Sequence, residues 1–133
     1  MHKIMALDIG TKRIGVALSD YLQMIATGLE CIDRNSEALA RIEVIAKENN
    51  VQKIVVGLPL NMDGTQSEQA HDCVNFASKI SGFEVVYEDE RLTSEAAEEN
   101  LRLKKIDFRK DKGLVDIESA CIILEQYLNR KEK

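Results

Sequence analysis

Between Ile4 and Ile32 three apolar runs follow one another with only short polar turns between them. Ile4-Met5-Ala6-Leu7-Asp8-Ile9 stops at Gly10-Thr11-Lys12, and Ile14-Gly15-Val16-Ala17-Leu18 stops at Ser19-Asp20. From Ala26 to Ile32, Thr27, Leu29 and Cys31 alternate with Gly28, Glu30 and Ile32. Apolar runs joined by short turns pair as hairpins, so the opening of the chain reads as an antiparallel meander. Lys53-Ile54-Val55-Val56-Gly57-Leu58 is different in kind. It is continuous and β-branched, the pattern of a strand buried on both faces of a sheet, and a helical stripe separates it from the meander.

That stripe starts at Asn35-Ser36-Glu37, a capping oxygen followed by an acid in the positive first turn. Leu39, Ile42, Ile45 and Ala46 then recur at helical spacing until Asn49-Asn50. Pro59 ends the fourth strand, and Leu60 to Gln66 form a polar loop containing Asp63-Gly64. Ala70, Val74, Ala77 and Ile80 predict a second helix stopped by Gly82. Phe83 to Tyr87 predicts a fifth strand running into Glu88-Asp89-Glu90. Thr93 or Ser94 can cap a third helix through Leu101, and a loop near Asp111 to Gly113 precedes the last helix. Asp116 stands at the N-terminal end of that helix, ahead of the stripe Ile117, Ala120, Cys121, Leu124 and Leu128. The predicted order β-β-β-α-β-α-β-α-α gives an α/β fold. Its mixed five-stranded sheet, three antiparallel strands followed by two parallel ones, carries helices on both faces. The 133 residues are expected to form one domain, since a domain takes roughly 100–200. A chain of this size buries about two-thirds of its unfolded surface.

Cys31, Cys73 and Cys121 are odd in number, widely spaced and without a CxxC pair, which argues against a disulfide framework or a zinc site. Each is read as a small apolar residue in a reducing compartment. The N-terminal residues reach Asp8 after four apolar positions, short of the apolar core of a signal peptide or a membrane span. A cytoplasmic protein with no membrane contact is therefore expected. The net charge of −5 and a pI near 5.1 disfavour a protein that coats nucleic acid through bulk charge. The charge is uneven, however. Arg102 to Lys112 holds six basic residues against two acids, and Glu84 to Glu99 upstream is strongly acidic. Such a pairing suits an enzyme that holds cations beside phosphates, and equally two solvated faces of opposite bias.

Three acids are candidates for chemistry. Asp8 ends a buried first strand, where an isolated carboxylate is costly unless paired or metal-bound. Glu90 lies just past the fifth strand, and Asp116 opens the final helix. If strands one and five lie near each other, the three converge on one edge of the sheet. Two carboxylates about 4 Å apart repel by about 4 kcal/mol at an effective dielectric of about 20, so protons or a divalent cation must hold them together. Oxygen-only ligands point to Mg²⁺ or Mn²⁺, and the chemistry such a site supports is attack of activated water on a phosphodiester. The plainer readings are an N-cap for Asp116 and a solvated acidic run for Glu90. His2 and His71 are read as surface residues, so no Ser-His-Asp or Cys-His arrangement is nominated.

Asp8-Ile9-Gly10-Thr11-Lys12-Arg13-Ile14-Gly15-Val16-Ala17 closely resembles the opening motif of the YqgF family, also called RuvX, of pre-ribosomal RNA nucleases and Holliday junction resolvases. Val56-Gly57-Leu58-Pro59-Leu60-Asn61 with Gly64, then Asp89-Glu90-Arg91-Leu92-Thr93, resemble its second and third motifs. Asp116-Ile117-Glu118-Ser119-Ala120 resembles its last. The resemblance spans almost the whole chain in order. It implies an RNase H-like fold in which Asp8, Glu90 and an acid on the last helix, Asp116 or Glu118, hold Mg²⁺ or Mn²⁺. It further implies Thr11, Lys12 and Arg13 on the turn beside the metals, Arg91 at the scissile phosphate as an alternative to local pairing with acids, and Asn61 in a loop bordering the substrate groove. The implied activity is endonucleolytic trimming of the 5′ end of precursor 16S rRNA. Resolution of branched four-way DNA is the alternative, for which a two-fold homodimer would be expected. A non-catalytic nucleic-acid or ribosome-associated module is the alternative of another class. A sugar-kinase-like phosphate loop at Asp8-Ile9-Gly10-Thr11 would need a second lobe for which the chain has no length.

Overall fold

The computed structural model describes residues 1–90, 93–105 and 111–131. In chain order they form β1 (Lys3–Ile9), β2 (Arg13–Ser19), β3 (Ala26–Asp33), α1 (Ala38–Glu48), β4 (Val51–Leu58), α2 (Glu68–Ala77), β5 (Glu84–Asp89), α3 (Thr93–Leu103) and α4 (Lys112–Lys131). This is the element order read from the sequence. The strands make one sheet in the order β3-β2-β1-β4-β5. The β1–β2 and β2–β3 pairs are antiparallel, and the β1–β4 and β4–β5 pairs are parallel.

The central strands are apolar throughout because both faces of the sheet are covered. On one face Met5, Leu7, Ile9, Ile14 and Val16 pack with Ile42 and Ile45 of α1 and Cys73 and Phe76 of α2. On the other, Ile4, Ala6, Ala17 and Val55 pack with Ala120, Ile123, Leu124 and Leu128 of α4. Side chains alternate along a strand, so Asp8, next in the series Ile4, Ala6, lies on the α4 face.

Three helix ends differ from the sequence reading. At α1 the Asn35 Oδ1 accepts the Glu37 N–H at 2.9 Å, organising the turn before the helix rather than capping it. Ser67 caps α2 by accepting the Ala70 N–H, and that helix ends at Ala77, five residues short of Gly82. Gly82 instead makes the turn into β5 with φ +91°, a value that favours glycine. The third difference concerns the site. The final helix starts at Lys112, so Asp116 sits inside it and does not open it. Asp111 does that work: its Oδ1 accepts the Gly113 N–H at 3.0 Å. Gly113 signalled a break in the sequence, but it serves as a contact surface. A Cβ there would lie 3.3 Å from Cys31 Cβ, so the glycine brings the first turn of α4 close against β3.

Candidate metal centre and nucleic-acid edge

Asp8 is flanked on the sheet by two glycines. Gly15 of β2 is its direct partner across the ladder, and on β4 the register Leu7↔Val56 sets Gly57 beside it. A Cβ on Gly15 would fall 2.0 Å from the Asp116 carbonyl oxygen. A Cβ on Gly57 would fall 2.4 Å from Ile123 Cδ1 and 2.6 Å from Glu90 Oε2. These bare strand positions admit α4 on one side of Asp8 and the Glu90 carboxylate on the other. β1 and β5 are not neighbours, since β4 separates them. Glu90 bridges that gap by folding over Gly57, with its backbone N–H bonded to the Leu58 carbonyl at 3.2 Å.

The Asp8 and Glu90 carboxyl groups are hydrogen-bonded to each other. Two carboxylates can share such a bond only if one is protonated. Burial is the main cause that pushes Asp8 up to about 6; the bond to Glu90 opposes the rise and the charge of Asp116 adds to it. Glu90 is pushed up to about 9, first by burial, then by the charge of Asp8 and the bond to it, with Asp89 contributing. The pair therefore retains a proton well above the ordinary carboxylate range.

Asp116 is near enough for its charge to act on Asp8, but its Oδ2 takes the Arg13 Nε–H at 2.8 Å, and Cys31 Sγ stands 3.9 Å from the same oxygen. Among the described residues no three His, Cys, Asp or Glu side chains are gathered so as to hold an ion. The three acids expected to converge thus do so as a hydrogen-bonded pair with a third charge alongside. Each acid takes the counter-charge within reach, a shared proton for Asp8 and Glu90 and a guanidinium for Asp116. Glu118 faces elsewhere: both its oxygens lie 3.3 Å from Nζ of Lys104, just past α3, and Asn100 of α3 is at 3.5 Å.

Thr11 and Lys12 are exposed on the β1–β2 turn, which is closed by the Gly10 N–H bonded to the Arg13 carbonyl at 2.8 Å. Asn61 is exposed, and its amide bonds Thr65 Oγ1 within its own loop, where Asp63 Oδ1 also accepts from Thr65. Arg91 lies outside the described residues, as do Arg109 and Lys110 of the basic stretch.

One feature of this edge had no local signal in the sequence. Arg34, just past β3, donates to the Gly10 carbonyl at 2.9 Å and grips Asp72 of α2 through two bonds of 2.6 and 2.8 Å. Its guanidinium stacks 4.9 Å from the centre of the Phe76 ring, and Cys73 Sγ donates to the Ile9 carbonyl at 3.3 Å. The corner that follows Asp8 is thus tied to α2 by residues 38 positions apart.

The chain matches the family model described as "RuvX: Holliday junction resolvase" over residues 2–130. It is 45% identical over 138 residues to a protein of Crocosphaera subtropica named "Putative pre-16S rRNA nuclease", covering 98% of this chain and 96% of that one. A Bacillus cereus protein of the same name is 41% identical over 136 residues, covering 97% and 99%. Among solved structures it is similar to the fowlpox virus resolvase in complex with Holliday junction DNA, with TM-score 0.58, 13% identity and coverage of 98% and 99%. It is also similar to T. thermophilus RuvC with a Holliday junction substrate, with TM-score 0.57, 12% identity and coverage of 99% and 96%. At that identity the likeness is one of fold, which is RNase H-like. Among the described residues no helix is long and apolar enough to cross a membrane.

Proposed function

The chain belongs to the RuvX family, and from that premise we propose that it is a divalent-cation-dependent endonuclease that trims the 5′ end of precursor 16S rRNA. The observation that carries the reading is the hydrogen-bonded Asp8–Glu90 pair packed between two glycines, with the Asp116 charge beside it. A divalent cation would replace the proton that two buried acids must retain to coexist, and all-oxygen donors suit Mg²⁺ or Mn²⁺. Asp8, Glu90 and Asp116 would hold the cation. When bound it supplies Lewis acidity and lowers the pKa of water for in-line attack on a phosphodiester.

The chain's own residues do the rest. Asp8 is held by the ladder of β1 and by the Gly10 corner that Arg34 clamps. Glu90 would serve as a ligand in its carboxylate form, because a bound cation would stabilise the charge that burial disfavours. Lys12 and Arg13, at the rim of the sheet, present donors to the phosphate backbone. Arginine can do so through two parallel bonds, and Thr11 adds a hydroxyl beside them. Contacts of this kind read backbone shape rather than base sequence. Precursor 16S rRNA is favoured as substrate by the name of the relatives at 45% and 41% identity. A four-way DNA junction is the second reading, favoured by the family description and by the fold shared with two junction-bound enzymes.

The deciding experiment maps the ends of the products. Purified protein with Mg²⁺ or Mn²⁺ is given an end-labelled 16S leader transcript, an unstructured RNA and a four-way junction. Cutting of the leader at the mature 5′ boundary supports the RNA reading. Paired symmetric nicks in the junction alone would replace it with the second.

A further inference from the structure

Asp116 stands between a buried acid and an arginine. Its charge reaches Asp8, while its Oδ2 is bound to Arg13 Nε at 2.8 Å. The Arg13 side chain is 35% exposed and that of Asp116 is 22% exposed, so the ion pair lies at the mouth of the site with the guanidinium on the solvent side. The main chains of both residues are fixed. Arg13 opens β2, paired with Asp33 on β3 and bonded to Gly10. The Asp116 carbonyl rests on Gly15. Only the two side chains are free to change partners. A guanidinium and a divalent cation both bind carboxylate oxygens and therefore compete for this one.

Resting on the nuclease reading above, we propose that Arg13 is an exchangeable counter-charge that couples cation binding to nucleic-acid binding. It holds Asp116 until a divalent cation draws that carboxylate toward Asp8 and Glu90. The freed guanidinium then takes a backbone phosphate of the substrate. Two further groups bear on Arg13: Asp33, its ladder partner, whose charge also acts on it, and Cys31 beside Asp116. Asp33 retains the freed guanidinium at the rim, where a phosphate with two acceptor oxygens offers it the bidentate geometry that Asp116 does not use here. Binding linkage is reciprocal: a cation that releases Arg13 raises affinity for the nucleic acid, and bound nucleic acid raises affinity for the cation by the same factor.

The test uses wild type, Arg13→Gln and Arg13→Lys, each shown by melting to be folded. Mn²⁺ is titrated calorimetrically into each protein. Binding of a fluorescent 2′-O-methyl RNA stem-loop is measured by anisotropy at low temperature with and without Mn²⁺, using only samples in which a gel shows the probe uncut. The glutamine variant is expected to bind Mn²⁺ about tenfold more tightly, and in wild type Mn²⁺ is expected to raise RNA affinity by about tenfold, within the usual range of coupling between sites. That gain should largely vanish in Arg13→Gln and persist in reduced form in Arg13→Lys, which keeps the charge but not the fork. Mn²⁺ affinity unchanged or weakened in Arg13→Gln would overturn the exchange and make Arg13 a fixed support of Asp116. If folded wild type binds no Mn²⁺, the nuclease reading itself fails, and the exchange with it.

Discussion

Glu90→Gln isolates the electrostatic strain of the carboxylate pair. Glutamine keeps the shape of the side chain over Gly57 and can donate an N–H to Asp8, but it needs no proton. Burial raises both acids in the folded chain, Asp8 to about 6 and Glu90 to about 9. The stability of the protonated pair is therefore fully present below the unfolded values near pH 4 and is lost as pH rises through about 6 and then about 9. At pH 8 the folded wild type holds a proton on Glu90 that an ordinary glutamate has released. At about 1.4 kcal/mol per pH unit this costs at most about 5 kcal/mol. Relaxation of the side chains and entry of water reduce the expected difference to about 1–3 kcal/mol. In chelator at pH 8, thermal melts should place Glu90→Gln about 4–10 °C above wild type, with the two curves converging toward pH 4. A gap independent of pH, or a variant less stable than wild type at pH 8, would refute a buried pair held together by a shared proton.

The glycines beside Asp8 should tolerate no side chain. Gly15→Ala drives a Cβ to 2.0 Å from the Asp116 carbonyl and should cost at least about 3 kcal/mol by chemical denaturation, because backbone cannot step aside as a side chain can. Gly57→Ala meets the movable ends of Ile123 and Glu90; it should cost about 1–3 kcal/mol and lower the cleavage rate more than the melting temperature by displacing Glu90. Asp72→Asn weakens the grip on Arg34 at a half-exposed carboxylate and should cost about 0.5–1 kcal/mol, measured by urea titration. The shift of Asp72 is downward, caused first by its bond to Arg34, so this difference is present above the ordinary aspartate range and fades as pH falls through the folded value.

The sheet was legible because its central strands are buried on both faces and spell that out as unbroken apolar runs, while the helices carry the stripe that each presents to the sheet. The partners of Asp8 were harder to read. Its meeting with Glu90 was expected from strands one and five lying close, yet it occurs across an intervening strand, and the enabling residue is Gly57, whose missing side chain has no periodicity to reveal it. Asp116 was placed at a helix start because Gly113 read as a break. In the structure that glycine is a point of close approach between α4 and Cys31, and close approach and helix termination look alike in one dimension. The pairing of Arg34 with Asp72 joins residues 38 apart, and no local pattern encodes it. The choice of Asp116 over Glu118 as the acid facing Asp8 likewise depends on Lys104, which draws Glu118 toward α3.

The central claim is that Asp8 belongs to a working cation site. Its most direct test compares wild type with Asp8→Asn on the end-labelled 16S leader across a series of Mg²⁺ and Mn²⁺ concentrations, with cation binding followed calorimetrically on the same preparations. Cleavage that rises with cation occupancy in wild type, and is lost together with cation binding in a variant that melts no lower, is the expected result. Equal cutting by the two proteins, or cutting that persists in chelator, would contradict it.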